Sequence, residues 1–176
     1  MDKLIQEKAK KIKAFIFDVD GVLTDGGIIY DGTGNEFKRF NAKDGLIIKA
    51  LMQNGFIVGA ITGRKSEAVA RRLTELTLDF QYHGAKNKNI HYKAIKEKYQ
   101  ITDEQIAYIG DDLNDLVILT QCGLSATPAD AMPYMHQKVD FSCQRKGGTG
   151  AVREFADFIL EAQGKLKIII DSFCQY

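Results

Sequence analysis

The chain has 176 residues, of which 45% are hydrophobic and 27% are charged, and its net charge at pH 7 is +1. This composition is ordinary for a globular protein of one domain, and the near-neutral charge gives no general attraction to nucleic acid or to an anionic membrane. No apolar stretch approaches the ~20 residues that a membrane-spanning helix needs, and the charged segment 1–13 lacks the apolar core of a secretory signal.

Three cysteines, Cys122, Cys143 and Cys174, are odd in number and widely spaced. They form no Cys-x-x-Cys pair, and no paired histidines lie near them in the sequence. Free thiols are therefore expected, and these are typical of the reducing cytoplasm.

Hydrophobic patterning predicts strands and helices that alternate along most of the chain. Continuous apolar runs predict buried strands, and apolar residues at helical spacing predict helices that pack on them. In chain order the predicted elements are a strand at 13–17, a hairpin of 28–30 and 36–40, a helix at 44–53, then strands and helices in turn at 56–61, 65–76, 80–83, 89–99, 105–109, 114–121, 124–126 and 132–138, a strand at 140–141 and a helix at 151–163. The basic first segment is expected to be a solvated helix face, and the apolar tail at 166–176 has no predicted form.

Alternation of strand and helix after the hairpin implies right-handed β-α-β units. The predicted fold class is α/β, a three-layer sandwich around a parallel, Rossmann-like sheet. One domain is expected over 1–176, because no linker, repeat or low-complexity tract interrupts the chain. The small hairpin at 25–40 is the one insertion large enough to be a distinct module, so no large cap domain is predicted; its turn contains Asp-Gly-Thr-Gly-Asn at 31–35.

Four polar clusters directly follow predicted strands. They are Asp18 with Asp20, Thr62-Gly63-Arg64, Lys86 with Lys88, and Asp111-Asp112 with Asp115. The carboxyl ends of parallel strands meet at one edge of such a sheet, where α/β proteins bind ligands. Because close carboxylates repel each other unless a cation or a shared proton lies between them, these clusters predict a metal site.

Together, these side chains could carry out phosphoryl transfer. A phosphate monoester carries about two negative charges at neutral pH, which Mg²⁺ on carboxylate ligands would partly offset. A lysine and a hydroxyl could hold the remaining phosphoryl oxygens. One aspartate could then attack phosphorus while another protonates the leaving alkoxide and later activates water. Asp18 fits the first role and Asp20 the second.

The order D-x-D-G-V-L-T, T-G-R, lysine and G-D-D-x-x-D resembles that of the haloacid dehalogenase superfamily of phosphatases. The resemblance implies that Asp18 is the nucleophile and Asp20 the general acid and base. It also implies that Thr62 binds the phosphoryl group and that Lys88 neutralises it, although spacing alone leaves Lys86 as a competitor for that role.

The same resemblance implies a Mg²⁺ site. Its ligands would be Asp18, Asp111 and the backbone carbonyl of Asp20. Asp112 and Asp115 would support the metal ligands and orient the lysine.

A closer resemblance is to a small subfamily, the 3-deoxy-D-manno-octulosonate 8-phosphate phosphatases. It extends over almost the whole chain, on the segments 25–40, 41–45, 61–65, 87–88, 110–115 and 147–154. The resemblance implies hydrolysis of this eight-carbon sugar acid phosphate through an aspartyl-phosphate, in lipopolysaccharide precursor synthesis. It also implies a homotetramer in which the hairpins assemble, so that a neighbouring subunit covers an active site without its own cap.

The sugar acid's carboxylate and hydroxyls are expected to meet a set of polar residues. The implied substrate contacts are Asp20, Asn41, Lys43, Asp44, Gly45, Lys49, Gly63, Arg64, Arg72 and Lys88. Arg64 is the expected selector between eight-carbon and nine-carbon substrates, because a guanidinium can bind a carboxylate through two hydrogen bonds. We also expect the tail at 166–176 to reach a neighbouring active site.

Other interpretations of these residues stay open. Asp18 and Asp20 could form a helix cap and turn, the acids at 111–115 could face a helix dipole, and 147–150 could be a flexible loop. The same chemistry could act on a nine-carbon 9-phosphate. A receiver-like signalling module has a similar set of residues, but an acid beside the nucleophile would hydrolyse its phosphoaspartate. The third class of protein, after an enzyme and a signalling module, is a scaffold in which the hairpin serves only assembly.

Overall fold

Six parallel strands form the central sheet of the protein in a computed structural model that describes residues 3–174. In chain order, the strands are β1 (Ala14–Phe17), β2 (Ile29–Tyr30), β3 (Glu36–Phe37), β4 (Ile57–Ile61), β5 (Phe80–Tyr82), β6 (Ile106–Ile109), β7 (Leu124–Thr127) and β8 (Phe141–Ser142). The large sheet has the order β5-β4-β1-β6-β7-β8, whereas β2 and β3 pair antiparallel as a separate hairpin.

Helices cover both faces of the sheet. They are α1 (Lys3–Lys10), α2 (Ala42–Gln53), α3 (Glu67–Leu76), α4 (Lys88–Tyr99), α5 (Leu116–Leu119), α6 (Pro133–His136), α7 (Ala151–Ala162) and α8 (Leu166–Phe173). Helices α1, α2, α3, α7 and α8 contribute to the core on one face, and α4, α5 and α6 contribute to the core on the other. The predicted three-layer α/β sandwich with a small hairpin is confirmed.

Strand β1 shows why this sequence needs two helical layers. Side chains alternate between the faces of a strand, so Phe15 and Phe17 enter one core while Ala14 and Ile16 enter the other. All four residues are fully buried. An apolar run without alternation is therefore typical of the central strand of a covered parallel sheet.

Several elements are shorter than the sequence pattern predicts. The helix predicted from 114 starts as a 3-10 turn over Leu113–Asp115, and α5 begins only at Leu116. The turn is tightened because the Asp112 side chain accepts the backbone N–H of Leu113 at 2.7 Å. The hairpin strands contract to two residues each, at their ends away from the turn. The turn itself is held by the Asp31 carboxylate, which accepts backbone and side-chain hydrogen bonds from Thr33 and Asn35.

The apolar tail forms a helix that packs on its own chain. Ile169 of α8 is buried in the core beside α7, and the helix borders an apolar cavity of about 260 Å³ together with Leu46 and Ala50 of α2. The expectation that the tail reaches a neighbouring active site stays a prediction. Positions 175 and 176 lie outside the described residues.

Cys122, Cys143 and Cys174 are free thiols, as expected. Within residues 3–174, no helix combines the length and apolar content needed to cross a bilayer.

Helix α7 takes its N-terminal cap from a distant part of the chain. Its own capping position is Gly150, which has no side chain to accept a hydrogen bond. Instead, the Asp44 carboxylate of α2 accepts the backbone N–H of Arg153 at 2.8 Å. Asp44 is fully buried, and burial raises its pKa to about 6.

We predict that Asp44→Ala destabilises the protein by about 1 kcal/mol, because the partly buried N–H of Arg153 loses its acceptor. Because its pKa is raised from 3.8 to about 6, the Asp44 carboxyl group stays protonated in the folded protein over this pH range. In the unfolded chain it is already ionised there. The contribution of Asp44 to stability is therefore fully present at low pH and falls as pH rises through about 6.

Urea unfolding of both proteins at about pH 4.5 and about pH 8 measures this effect. The loss in Asp44→Ala should be larger at the lower pH, and the opposite order would contradict the prediction. Asp171→Ala is the control, because it removes an exposed ion pair with Lys167 on α8 and should change stability by less than ~0.5 kcal/mol.

Candidate active site

Three neighbouring strands deliver polar residues to the same edge of the sheet. Strand β1 lies between β4 and β6, with Phe17 in register with both Ala60 and Ile109. The chain beyond each strand carries a predicted site residue, which is Asp18 after β1, Thr62 after β4 and Asp111 after β6. The edge at the carboxyl ends of parallel strands is thus where these groups meet.

A cavity of about 260 Å³ opens at this edge. Its lining residues are Asp18, Asp20, Gly26, Thr62, Gly63, Arg64, Asp111, Asp112 and Asn114. All of them except Gly26 and Asn114 belong to the predicted site. Gly26 and Asn114 lie within the segments 25–40 and 110–115, on which the family resemblance rests. Their positions in these segments could have indicated that they line the site.

Lys88 lies beneath the cavity in a buried ionic cluster. Its ammonium is 2.8 Å from Asp18 Oδ1 and 2.7 Å from Asp115 Oδ1. The Lys88 side chain is fully buried, whereas Lys86 is exposed. Of these two lysines, the structure therefore brings Lys88 into contact with the predicted nucleophile. The position follows from the local chain, since Asn87 caps α4 and Lys88 is its first residue.

Asp115 is held from four directions. Its Oδ1 accepts hydrogen bonds from Lys88 and from the Tyr108 hydroxyl at 2.5 Å, and its Oδ2 accepts the backbone N–H groups of Asp111 and Asp112 at 3.2 and 3.3 Å. These contacts use both oxygens, so Asp115 fits the predicted supporting role better than that of a metal ligand. Tyr108 was not predicted as a site residue, although the hydroxyl of a tyrosine in an otherwise apolar buried strand needs a hydrogen-bond partner.

The cluster carries more negative than positive charge. Carboxylate oxygens of Asp18, Asp111 and Asp115 lie within 4.8 Å of one another, and Lys88 supplies a single positive charge against them. Burial, followed by repulsion from Asp115, raises the pKa of Asp18 to about 7, although Lys88 opposes the shift. Burial and then repulsion from Asp18 raise the pKa of Asp111 to about 8.

A divalent cation would relieve this repulsion. Asp18 and Asp111 offer hard oxygen ligands of the kind that Mg²⁺ prefers. Gly21 leaves room for them, since a Cβ atom at that position would lie 2.0 Å from Asp111 Oδ2. The residues present therefore fit a Mg²⁺ site. Asp18 and Asp111 are two of the three predicted ligands, and the ligand set stays a prediction.

Asp20 is held by the hairpin. Its Oδ1 accepts a hydrogen bond from Lys38 Nζ at 2.5 Å, while Arg64 Nε lies 4.0 Å from its Oδ2. The Arg64 guanidinium also donates to Glu36 Oε1 at 2.9 Å. Glu36 and Lys38 were not predicted as site residues, because only the tertiary path of the hairpin brings them over the cavity.

Six predicted substrate contacts lie elsewhere in the described part of the chain. They are Asn41, Lys43, Asp44, Gly45, Lys49 and Arg72, which belong to α2, its cap and α3. Asn41 accepts the backbone N–H of Lys43, and Arg72 packs against Gly45 so closely that a Cβ there would lie 2.4 Å from Arg72 Nη2. Asp44 accepts a hydrogen bond from the first turn of α7, whereas Lys43 and Lys49 are exposed. The contact of all six residues with a sugar stays a prediction.

Comparison with known proteins is consistent with this site. Residues 42–123 match a family model described as haloacid dehalogenase-like hydrolase. The chain is 43% identical over 159 residues to the 3-deoxy-D-manno-octulosonate 8-phosphate phosphatase of Escherichia coli K12, covering 90% of this chain and 85% of that protein. It is 42% identical over 164 residues to the enzyme of the same name from Haemophilus influenzae, covering 93% of this chain and 91% of the relative.

Solved structures show the same fold. The 3-deoxy-D-manno-octulosonate 8-phosphate phosphatase of Yersinia pestis superposes with a TM-score of 0.93 at 40% identity, over 95% of this chain and 90% of that one. The Moraxella catarrhalis enzyme, in complex with a magnesium ion, a phosphate ion and a KDO molecule, gives 0.93 at 40% identity, over 96% and 97% of the two chains. Since the identity extends over nearly the whole length of these enzymes, the chain belongs to the 3-deoxy-D-manno-octulosonate 8-phosphate phosphatase family of haloacid dehalogenase-like hydrolases.

Proposed function

We propose that the protein is a Mg²⁺-dependent phosphatase that hydrolyses 3-deoxy-D-manno-octulosonate 8-phosphate to the free sugar acid and phosphate. The observation that carries the proposal is the buried pair of Asp18 and Lys88 below a cavity that Asp20 also lines. The magnesium, phosphate and KDO bound by the Moraxella catarrhalis relative are the cofactor and the two products of this reaction. The reaction would serve lipopolysaccharide precursor synthesis in the cytoplasm.

Asp18 is the proposed nucleophile. A carboxylate oxygen of Asp18 attacks phosphorus, the bond from phosphorus to the sugar oxygen breaks, and Asp20 transfers its proton to that oxygen. Lys88, at 2.8 Å from Asp18, orients the nucleophile and offsets the charge of the phosphoryl oxygens, and Thr62 donates a hydrogen bond to them. The product of this step is an aspartyl-phosphate and the free sugar acid.

Water completes the cycle. Asp20, now ionised, accepts a proton from a water molecule as the water oxygen attacks phosphorus. The bond between phosphorus and Asp18 breaks, which releases phosphate and restores both carboxyl groups. Mg²⁺ held by Asp18, Asp111 and the carbonyl of Asp20 would supply the positive charge that the buried carboxylates and the phosphate lack.

Arg64 is the proposed carboxylate-binding residue for the sugar acid. It lines the cavity and has a guanidinium that the neighbouring Glu36 already orients at 2.9 Å. A guanidinium held in this way can bind a second carboxylate through two hydrogen bonds. This arrangement supports an acidic sugar phosphate over a neutral one.

We propose that subunits associate through the hairpin and form a homotetramer. Ile29, Tyr30 and Phe37 are each more than half exposed on two strands of only two residues. A hairpin of this size is only marginally stable on its own. Its contiguous exposed apolar side chains are typical of an interaction surface. A neighbouring subunit would then exclude water from a cavity without a cap.

The first test is phosphate release from a panel of sugar phosphates in the presence of Mg²⁺. We predict turnover of 3-deoxy-D-manno-octulosonate 8-phosphate, with a higher kcat/KM than for a nine-carbon 9-phosphate, and a loss of at least ~10³-fold in Asp18→Asn because the covalent step is removed. Preference for the nine-carbon substrate would overturn the substrate assignment, and undiminished turnover by Asp18→Asn would overturn the mechanism. A phosphoenzyme stable for minutes would favour a signalling module.

The second test is metal dependence. We predict that EDTA abolishes turnover, that excess Mg²⁺ restores it, and that Asp111→Ala weakens Mg²⁺ binding in calorimetry, since it removes one of two carboxylate ligands. Asp112→Ala is the matched control, because its carboxylate caps the Leu113 turn and should affect Mg²⁺ affinity less. Equal Mg²⁺ affinity in Asp111→Ala and the native protein would contradict the metal assignment.

The third test is the mass in solution. Ile29 and Phe37 are directly paired across the hairpin, and lysine at both positions is expected to place charge in the subunit contact and to give a smaller species in light scattering. Ile90→Lys, at an equally exposed apolar residue on α4, should keep the native mass. A double variant with unchanged mass would show that assembly does not use the hairpin.

A further inference from the structure

We propose that Lys38 is a positioning residue that fixes the Asp20 carboxylate for proton transfer to the leaving sugar oxygen. The proposal rests on the proposed phosphatase function and adds to it a residue from the hairpin. Lys38 is not among the catalytic, metal-binding or substrate-contact residues that the family resemblance implies.

The Lys38 ammonium lies in a specific set of oxygen atoms. Its Nζ is 2.5 Å from Asp20 Oδ1, 3.3 Å from the carbonyl oxygen of Gly27 and 3.6 Å from Glu36 Oε1. The Lys38 side chain is fully buried. Burial of an ammonium is costly unless it is paired and hydrogen-bonded. These contacts therefore hold the Lys38 ammonium in one position, whereas the ammonium of an exposed lysine moves among many.

The two oxygens of Asp20 have different surroundings. Oδ1 is occupied by Lys38, whereas Oδ2 is buried without a hydrogen-bond partner among the described residues. Asp20 lines the cavity. A carboxylate bound at one oxygen keeps one rotamer and offers the other oxygen to a reacting group, so Oδ2 is the oxygen that would exchange the proton with the leaving group and with water.

The hairpin presents different residues to its two sides. Phe37 is exposed, whereas the side chains before and after it, Glu36 and Lys38, are 13% and 0% exposed. Side chains alternate in this way along a strand, and Lys38 directly follows β3. The outward residue belongs to the proposed subunit contact and the inward residue holds Asp20. The same short segment would therefore serve assembly on one side and proton transfer on the other.

Leaving-group dependence separates positioning from a general structural effect. A sugar alkoxide is a strong base and needs a proton as its bond to phosphorus breaks, whereas p-nitrophenolate is a weak base and leaves without one. We predict that Lys38→Met lowers the single-turnover rate of phosphoryl transfer from the sugar acid phosphate about tenfold or more. For p-nitrophenyl phosphate, the first-turnover release of p-nitrophenolate should stay within about twofold of the native rate, because this step needs no proton from Asp20. The first turnover is compared because the later hydrolysis of the aspartyl-phosphate uses Asp20 for both esters.

Three further variants complete the design. Lys38→Arg keeps the cation and should recover part of the loss. Arg39→Met is the matched control, because the neighbouring Arg39 pairs with Asp25 at 2.8 Å and is 69% exposed, so kcat should be native for both substrates. In an Asp20→Asn background, Lys38→Met should add little further loss, since the group that it positions is already gone.

Each outcome decides the proposal. Equal losses of the first-turnover rate on both esters in a folded Lys38→Met protein, or additive losses in the double variant, would show a structural role and overturn it. Native kcat on the sugar ester in Lys38→Met would also overturn it while leaving the phosphatase function intact. Absence of phosphate release by the native protein from every sugar phosphate would instead overturn the proposed function, and the Lys38 assignment with it.

Discussion

Repulsion among buried carboxylates is the constraint on which the rest of the site depends. Carboxylate oxygens of Asp18, Asp111 and Asp115 lie within 4.8 Å of one another, and Lys88 offsets only part of their charge. Burial makes this excess charge more costly than it would be in water. The same imbalance that opposes folding favours binding of a divalent cation, because the cation would bring the positive charge that the cluster lacks.

The sequence predicted the parts of the site that lie at strand ends. Asp18, Thr62 and Asp111 follow buried strands directly, and a parallel sheet brings such positions together whatever the loops do. Lys88 was more difficult to predict as the site lysine, because Lys86 also fits the spacing of the motif. The two lysines differ in the structure because α4 starts directly after the Asn87 cap. Its first residue, Lys88, is buried, whereas Lys86 before the cap is exposed.

Residues from the hairpin and α2 were less predictable, for a physical reason. Glu36 and Lys38 reach the cavity because the hairpin folds back over it, and no periodicity records that path. Asp44 illustrates the reverse case: the family resemblance implies a sugar contact, yet in this chain its carboxylate caps α7. A polar residue in a motif can serve the backbone of a remote helix as easily as a ligand, and sequence spacing does not separate the two.

The position of β1 at the middle of the sheet also governs the order in which the site can form. Ala14 of β1 pairs with Ile57 on one side and Ile106 on the other, so both partners come much later in the chain. Contacts between distant segments are slow to form, because the intervening chain must first lose its freedom. During synthesis Asp18, the proposed nucleophile, would therefore emerge long before Asp111, and a nascent chain without β6 would not yet have assembled the proposed metal site.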